Sequence, residues 1–455
     1  MLGLVAGLYL VSSTAQSPAQ ADSLGRDRVI GALGAKLDSQ LARFAEYGFS
    51  GTVLVVRDRR VVLLRGYGLA DVTRGVRNSA STRFEMNSMT KMFTGVSILQ
   101  LAAAGRLQLN DPVERHLGAF PVGKRGATIE QLATHTSGLI VAGTNLAGDT
   151  REAFLSDVRQ SPREAAPGEQ YRYTNAGFSL LAAIIEITSG QSYEAYLRQH
   201  IFAPGGMQTA TFRDQLPADD PLFAHGYVGT PAALEPGPPN PYVWGTRGAG
   251  GVWTTVGDMY RWLIAVEEGV LLSEPQRTVL FSSPRPPAQE AFGWHVTAAT
   301  STGKARIDKG GGSDDFASQL LYYPRERVAI IWASNNLRQR WRQTLNRALP
   351  DIVFGDAPPP LPRVRELSRA HLTSLAGRYR VVGDTLVLRV GSNYLYAVSN
   401  TLQVPTNVMF FPQDRSNFTA FDPVSRTITR LQFSRAGTQS LVVKLGNGGR
   451  FAARR

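Results

Sequence analysis

The sequence predicts an α/β fold: an antiparallel sheet flanked by helices with a helical insert, plus a small C-terminal all-β domain. Strand-like patterns occur near both ends of the first 350 residues or so, whereas helical patterns dominate the middle, from Ser88 to about Val270. A proline-rich stretch, Gly355 to Pro362, follows, and consecutive prolines continue neither a helix nor a central strand. After it come short alternating runs separated by Gly, Asn and Asp turns, a pattern typical of a small β-sandwich or barrel.

The individual elements follow from the periodicity of the apolar residues. Arg28 to Tyr47 repeats at helical spacing, and Gly51 to Arg57 with Val61 to Gly66 predicts a hairpin. Further strands are predicted at residues 292–296, 317–323 and 328–334, a helix at 338–349, and C-terminal strands at 385–390, 394–398, 427–433 and 440–445. A sheet assembled from both ends of this region places Ser88 on a helical side and Lys309 on a sheet side of one cleft.

At 455 residues the chain is too long for one ordinary hydrophobic core, so two folded domains are expected. We predict a signal peptide over 1–21, the α/β domain over 22–354, a linker over 355–363 and the β domain over 364–455. Residues 361–455 carry +10 of the net charge of +13, from 14 Arg or Lys against 4 Asp or Glu. Such a domain could bind an anionic envelope polymer or lipid head groups, or simply present a solvated basic surface. No nucleic-acid motif is present, so no nucleic-acid partner is expected.

The first 21 residues resemble an export signal. Leu2 to Val11 is an apolar run, and Ala19-Gln20-Ala21 is an A-x-A-like cleavage sequence, although the usual basic residues before the run are missing. The run is too short to span a bilayer, so no transmembrane segment is expected. The chain has no cysteine and therefore needs no disulfide. These features favour a periplasmic or secreted protein.

The sequence Ser88-Met89-Thr90-Lys91 precedes a long apolar run and is the strongest chemical signal in the chain. Asn87 suits the N-cap of a helix beginning at Ser88, which would place Lys91 one turn on, on the same face. A serine hydroxyl becomes nucleophilic when a neutral lysine within hydrogen-bond reach takes its proton. Only six of the 49 basic residues are lysines, so Lys91 stands where this sequence normally uses arginine, which cannot deprotonate. The second Ser-x-x-Lys, Ser301 to Lys304, contains a glycine and shows no helical pattern.

Two weaker motifs follow downstream. Tyr173 and Asn175 lie two residues apart before a helical stretch, so a phenol and an amide could face one cleft, although a capping asparagine beside a half-buried tyrosine is the commoner meaning. Lys309-Gly310-Gly311-Gly312 is predicted as a glycine-rich turn, in which a substrate could approach the backbone and an N–H could receive an oxyanion.

In this order the three motifs resemble those of the serine β-lactamase and penicillin-binding-protein family, which includes class C β-lactamases, D-Ala-D-Ala carboxypeptidases and related esterases. The resemblance extends over about residues 30 to 350. Three further segments are similar to family signatures: residues 128–139, with Thr-His-Thr-Ser-Gly-Leu at their end, Pro204-Gly205-Gly206-Met207, and Ala249-Gly250-Gly251-Val252-Trp253-Thr254-Thr255.

The resemblance implies a role for each matching residue. Ser88 would be the nucleophile, Lys91 its base, Tyr173 the proton relay and Lys309 a nearby cation that helps burial to keep Lys91 neutral. Asn175, Gly310 and Gly311 would contact substrate, and the backbone N–H groups of Ser88 and Gly312 would form the oxyanion hole. No cofactor or metal is expected, because the six histidines show no zinc-ligand spacing.

The expected substrate is a small-molecule ester or amide. Family members that act on penicillins or D-Ala-D-Ala usually carry a hydroxyl residue where this chain has Gly310, and Asp314 and Asp315 would repel an anionic substrate. The alternatives are a β-lactamase or D-Ala-D-Ala carboxypeptidase acting on cell-wall peptides, and a non-catalytic protein that binds peptidoglycan or the envelope. An α/β-hydrolase is disfavoured because the chain has no Gly-x-Ser-x-Gly.

Overall fold

The computed structural model describes the chain from residue 22 to residue 454 with gaps. The described ranges are 22–139, 150–217, 220–230, 233–237, 241–282, 289–297, 303–336, 340–355, 361–381, 384–398, 408–422, 427–434, 440–445 and 450–454. The predicted signal segment, residues 1–21, and Ser301 lie outside them. Within these ranges, no helix combines the length and the apolar character that crossing a membrane requires.

Strands occur at both ends of the α/β region, as the sequence predicts. Those described before residue 335 are β1 (Arg28–Val29), β2 (Gly51–Arg57), β3 (Arg60–Tyr67), β4 (Leu69–Asp71), β5 (Val76–Arg77), β6 (Phe84–Glu85), β7 (Thr211–Phe212), β8 (Tyr227–Thr230), β9 (Ala233–Pro236), β10 (Val252–Thr254), β11 (His295–Thr297), β12 (Arg306–Gly312), β13 (Ala317–Tyr323) and β14 (Val328–Ser334).

Helices fill the middle of the region and flank the sheet. The described α-helices are α1 (Gly31–Glu46), α2 (Thr90–Ala103), α3 (Val113–Leu117), α4 (Ile129–Ala133), α5 (Arg151–Gln160), α6 (Asn175–Ser189), α7 (Tyr193–Leu197), α8 (Val256–Glu267), α9 (Glu274–Phe281), α10 (Arg340–Phe354) and α11 (Arg369–Leu375). Short 3-10 turns lie at Asp22–Gly25, Asn87–Met89, Val122–Lys124, Arg213–Gln215 and Trp244–Thr246, and a π-helical turn at Arg198–Phe202.

Seven strands form one antiparallel sheet in the order β1-β3-β2-β14-β13-β12-β11. The predicted hairpin and the two predicted apolar strands are its centre, and β13 and β14 are buried at every position. Such continuous apolar runs are expected where both faces of a sheet are covered. On one face α1 and α10 contribute Leu41 and Leu345 to one buried cluster. On the other, α2, α6 and α8 contribute Phe93, Phe178 and Trp262 to a larger one.

The end of β12 forms an open edge of this sheet. The edge strand β11 pairs with β12 only as far as Asp308, whereas β12 continues to Gly312 and pairs there with β13 alone among the described strands. The prediction of a turn at Lys309 to Gly312 was therefore wrong. Glycines weaken a strand but are tolerated where another backbone approaches closely, which is the case here.

The turn that carries Ser88 also differs from the prediction. Asn87–Met89 is a 3-10 turn, and α2 begins at Thr90 rather than at Ser88. Asn87 does not cap the helix: its φ is +49°, a left-handed conformation that asparagine tolerates better than most residues. The nucleophile candidate thus lies on a tight turn just before the helix that carries Lys91.

The C-terminal segment forms an eight-stranded barrel, with strands β15 (Gly377–Val381), β16 (Asp384–Val390), β17 (Leu395–Ala397), β18 (Met409–Pro412), β19 (Asn417–Asp422), β20 (Thr427–Phe433), β21 (Ser440–Lys444) and β22 (Arg450–Arg454). Each strand pairs with the next, and the pair Arg380 and Arg454 closes the circle. Inward residues such as Leu386, Phe418 and Leu431 form its core. Aromatic contacts join it to the C-terminal end of α1: ring centroids lie 6.3 Å apart for Phe44 and Phe421 and 5.0 Å apart for Tyr47 and Phe411.

Candidate active site

The hydroxyl of Ser88 lies between the two proton-carrying groups that the motifs predicted. Lys91 Nζ donates a hydrogen bond to Ser88 Oγ at 3.1 Å, and Tyr173 Oη donates to the same oxygen at 3.0 Å. The tight turn at Asn87–Met89 and the first turn of α2 produce the first contact. The loop before α6 produces the second contact, and Thr174 Oγ1 at the end of this loop caps the helix.

Lys91 is fully buried among neutral oxygens. Besides Ser88, its ammonium nitrogen donates to Asn175 Oδ1 at 2.8 Å and to the carbonyl of Ala249 at 3.1 Å. Burial lowers the pKa of Lys91 to about 7, because a charged amine loses its hydration there. Near pH 7 a sizeable share of Lys91 is therefore neutral and able to accept a proton from Ser88.

The charge that acts on Lys91 is a carboxylate rather than the predicted lysine. Glu290 opposes burial by raising the pKa of Lys91. Lys309 itself is buried and donates to both oxygens of Glu290, at 2.8 and 2.7 Å, so its charge is neutralised locally. Burial, and not a direct effect of Lys309 as expected, lowers the pKa of Lys91; Lys309 instead compensates the carboxylate that raises it.

Tyr173 lies between the side-chain nitrogens of two lysines, and the residue remains 43 % exposed. The Nζ atoms of Lys91 and Lys309 lie 4.9 and 5.2 Å from its ring centroid. Burial raises the pKa of Tyr173, whereas Lys309 and the hydrogen bond to Ser88 lower it. The phenol is thus protonated at neutral pH and positioned to give its proton to a group on Ser88.

A cavity of about 550 Å³ opens in front of Ser88. It is large enough for a small substrate. The predicted residues Ser88, Tyr173, Asn175 and Gly312 are all part of its lining. The other lining residues are Glu85, Asn87, Thr174, Ala176, Arg213, Pro241, Tyr242, Val243, Gly245, Thr246, Ala249, Gly250, Gly251 and Ser313.

Three predicted residues, Lys309, Gly310 and Gly311, lie behind this lining. A Cβ at Gly311 would come within 2.0 Å of the carbonyl of Met86, whereas one at Gly310 would meet the side-chain oxygen of Gln319. Gly311 therefore permits β12 to pack directly against the turn that carries Ser88. Ser318 Oγ on β13 donates to the same Met86 carbonyl at 2.9 Å, which fixes that turn further.

The two aspartates expected to repel anions are placed differently from each other. Asp315 is buried, accepts a hydrogen bond from Ser313 Oγ at 2.7 Å and lies outside the cavity lining. Asp314 is exposed. Asp315 is therefore separated from the cavity by Ser313, which lines it, and its repulsion of anionic substrates stays a prediction.

The motifs missed two charged residues beside the site. Glu290 is fully buried and joins Lys309 to His135, whose Nε2 lies 2.7 Å from Glu290 Oε1. Arg342 on α10 donates to the carbonyl of Gly311 and adjoins Gly312. Neither belongs to a short motif, because each comes from a separate element. Among the described residues, no cluster of His, Asp and Glu has the arrangement of a metal site.

The chain belongs to the beta-lactamase family, a family of serine hydrolases, which it matches over residues 27–351. It is 34 % identical over 239 residues to the putative penicillin-binding protein PbpX of Bacillus subtilis, an alignment of 52 % of this chain and 60 % of PbpX. It is 28 % identical over 340 residues to penicillin-binding protein 4* of the same organism, covering 68 % of this chain and 73 % of that protein. This chain thus spans less than two thirds of PbpX.

The fold extends to solved structures. An octameric penicillin-binding protein homologue from Pyrococcus abyssi superposes with a TM-score of 0.64 and 21 % identity, over 93 % of this chain and 100 % of that one. At this identity the likeness concerns the fold alone. Its coverage includes most of the barrel as well as the α/β region.

Proposed function

We propose that this chain hydrolyses small esters or amides through a covalent acyl-enzyme on Ser88. The observation that carries the proposal is the pair of hydrogen bonds to Ser88 Oγ, one from a lysine whose pKa is about 7 and one from a tyrosine. Neutral Lys91 takes the hydroxyl proton while Ser88 Oγ attacks the substrate carbonyl. Tyr173 donates its proton to the leaving alkoxide or amine and is reprotonated through Lys91. Water then attacks the acyl-enzyme, and the same two groups return the proton to Ser88.

The oxyanion formed in each step would accept hydrogen bonds from the backbone N–H groups of Ser88 and Gly312. Both residues line the cavity, one on the tight turn and one at the open end of β12. The amide of Asn175 is held by Lys91 through its oxygen, so its NH₂ group is left to contact a substrate carbonyl. Removing one oxyanion-hole donor typically lowers turnover by a factor of about 10²–10³.

A carboxylate-bearing substrate, such as a D-Ala-D-Ala peptide or a β-lactam, is the second candidate. It is favoured by Arg342, whose Nη2 would lie 2.8 Å from a Cβ at Gly312 and therefore beside the cavity. A planar guanidinium suits a carboxylate. The related PbpX and penicillin-binding protein 4* carry penicillin-binding in their names.

One panel of substrates tests both candidates. Purified protein is assayed with short-chain nitrophenyl esters, a chromogenic cephalosporin and a D-Ala-D-Ala peptide, beside Ser88→Ala and Arg342→Gln. We expect ester turnover that disappears in Ser88→Ala, and a fluorophosphonate adduct on Ser88 by mass spectrometry. A selective loss of cephalosporin or peptide turnover in Arg342→Gln would assign the carboxylate class. Absence of both turnover and adduct would contradict catalysis and favour a non-catalytic envelope-binding protein.

We further propose that the barrel binds an anionic polymer of the cell envelope. Arg430, Lys444 and Arg450 are exposed and lie directly opposite one another on β20, β21 and β22. Like charges in register across strands repel, so this row is stabilised when an anionic chain crosses it. None of the three makes an ion pair with a carboxylate among the residues that the structure describes. A periplasmic or secreted location, which residues 1–21 predict, would bring the barrel to such polymers.

Binding to long-chain polyphosphate measures this property directly. We expect the triple variant Arg430→Gln, Lys444→Gln, Arg450→Gln to lose at least tenfold in affinity at low salt, and the wild-type affinity to fall steeply as salt rises. A matched control neutralises three exposed cations of the α/β region: Arg57, Arg74 and Arg115. Equal losses in both variants would indicate only a net-charge effect. Binding to anionic vesicles but not to polyphosphate would contradict the polymer and favour lipid.

A further inference from the structure

Glu290 lies outside the three motifs yet receives contacts from three elements. Its carboxylate is fully buried and lies 2.7 Å from His135 Nε2, 2.5 Å from His295 Nε2, and 2.8 and 2.7 Å from Lys309 Nζ. We call these four residues the Glu290 cluster. A buried carboxylate is stable only when donors satisfy it, and here both oxygens have them.

The cluster connects the two sides of the active-site cleft. His135 follows α4 on the helical side, and its Nδ1 accepts the backbone N–H of Thr174 at 3.2 Å. Its ring lies 4.5 Å from the ring of Tyr173. Lys309 belongs to β12 on the sheet side and lies 5.2 Å from the same tyrosine ring. Glu290 therefore holds two of the residues that adjoin the ring of Tyr173, one from each side of the cleft.

We propose that Glu290 is a positioning residue for the proposed hydrolysis: it holds His135 and Lys309 against Tyr173 and balances the positive charge around Lys91. This inference rests on the proposed function of Ser88. Because His135 Nδ1 accepts a backbone N–H, its proton lies on Nε2 and the ring is neutral. Glu290 and Lys309 then form a pair without net charge, and Lys91 remains free to exchange its proton.

The charges that face Lys91 and Tyr173 come from several elements. Glu290 raises the pKa of Lys91 against the effect of burial. At Tyr173, Lys309 and Arg342 lower the pKa whereas burial and Glu290 raise it. Burial lowers the pKa of His135 to about 4, so this ring stays neutral above that pH. His295 is 40 % exposed and is the end of the cluster that meets solvent.

Substitutions of Glu290 and of Lys309 should therefore move the pH profile of hydrolysis in opposite directions. In Glu290→Gln the negative charge is lost and Lys309 is unpaired, so the acidic limb of kcat/KM should shift down by about half a pH unit or more. In Lys309→Met the carboxylate is unpaired, so the limb should shift up by a similar amount. The double variant should restore the wild-type limb, although its maximal rate is reduced.

Glu186→Gln is the matched control. Like Glu290, Glu186 pairs with a cation, Arg151, at 3.0 Å, and it accepts a hydrogen bond from a backbone N–H. It lies eleven residues, about 16 Å, along α6 from Asn175 and is therefore remote from the site. This variant should lower the melting temperature without moving the acidic limb of the pH profile.

Unmoved limbs in Glu290→Gln and Lys309→Met, with only lower stability, would reduce the cluster to a structural role and overturn the proposal. If Glu290→Gln does not fold, an unshifted or downward limb in Lys309→Met has the same effect. Failure of wild-type protein to acylate Ser88 would contradict the proposed function instead, whatever the pH profiles of the variants.

Discussion

The cleft contains two buried lysines whose surroundings are opposite in kind. Lys91, on the helical side, has three neutral oxygen partners, from Ser88, Asn175 and Ala249. Lys309, on the sheet side, has the carboxylate of Glu290. Burial without a counterion depresses the pKa of an amine, while burial with one keeps the ammonium charged. The comparison teaches that equal burial gives a candidate base at one position and an ion-pair partner at the other.

The largest effect should come from exchanging Lys91 for a cation that cannot deprotonate. Lys91→Arg should lose about 10²–10⁴ in kcat/KM, nearly as much as Lys91→Ala, because arginine retains the charge but gives up no proton. The assay is hydrolysis of a nitrophenyl ester at pH 8. If the arginine variant keeps more than a tenth of wild-type activity, a loss below about 1.4 kcal/mol, Lys91 is not the base.

This contrast was only half predictable from sequence. The spacing of Ser88 and Lys91 is local, so their contact follows from a short motif, although the 3-10 turn that replaces the predicted helix start at Ser88 does not. Tyr173 and Asn175 came from a second local motif. The partner of Lys309 did not, because Glu290 lies 19 residues upstream and reaches it through the pairing of β11 with β12. The burial of Asp315 outside the cavity lining likewise depends on tertiary packing, which no short pattern reports.

A second prediction removes the cation whose partner is charged. Lys309→Met leaves the carboxylate of Glu290 buried without its ammonium partner, so the free energy of unfolding should fall by about 3–5 kcal/mol. Urea unfolding at pH 7 measures it. The double variant Lys309→Met, Glu290→Gln should recover part of that loss, because no buried charge is then unpaired. A loss below about 1 kcal/mol in the single variant would show that Glu290 finds another partner.

A third prediction concerns how closely the sheet side approaches Ser88. Gly311→Ala should lower both stability and turnover, by about 1–3 kcal/mol of unfolding free energy, since its Cβ would meet the Met86 carbonyl at 2.0 Å and backbone must shift. Gly310→Ala is the control, because its Cβ meets the end of the Gln319 side chain, which can rotate away. Equal effects of the two substitutions would contradict a specific contact between β12 and the nucleophile turn.

The last prediction concerns the difference in the free energy of unfolding between Lys91→Met and wild type, which should change sign with pH. The pKa of Lys91 is about 7 in the folded protein, against 10.5 for an exposed lysine. The unfolded chain therefore binds more protons between these pH values, and wild-type stability rises with pH across this interval. The shift corresponds to about 4–5 kcal/mol of destabilisation at low pH.

Methionine removes that penalty but leaves the oxygens of Asn175 and Ala249 without their donor, which costs about 1–3 kcal/mol. Lys91→Met should thus be about 1–4 kcal/mol more stable than wild type at pH 6 and less stable at pH 10, with the two stability curves crossing between them. Lys309→Met should be less stable than wild type at both pH values, because the buried carboxylate of Glu290 loses its partner in either case. Parallel curves for Lys91→Met and wild type would mean that Lys91 remains charged in the folded protein, and the lysine on the helical side would then resemble the one on the sheet side.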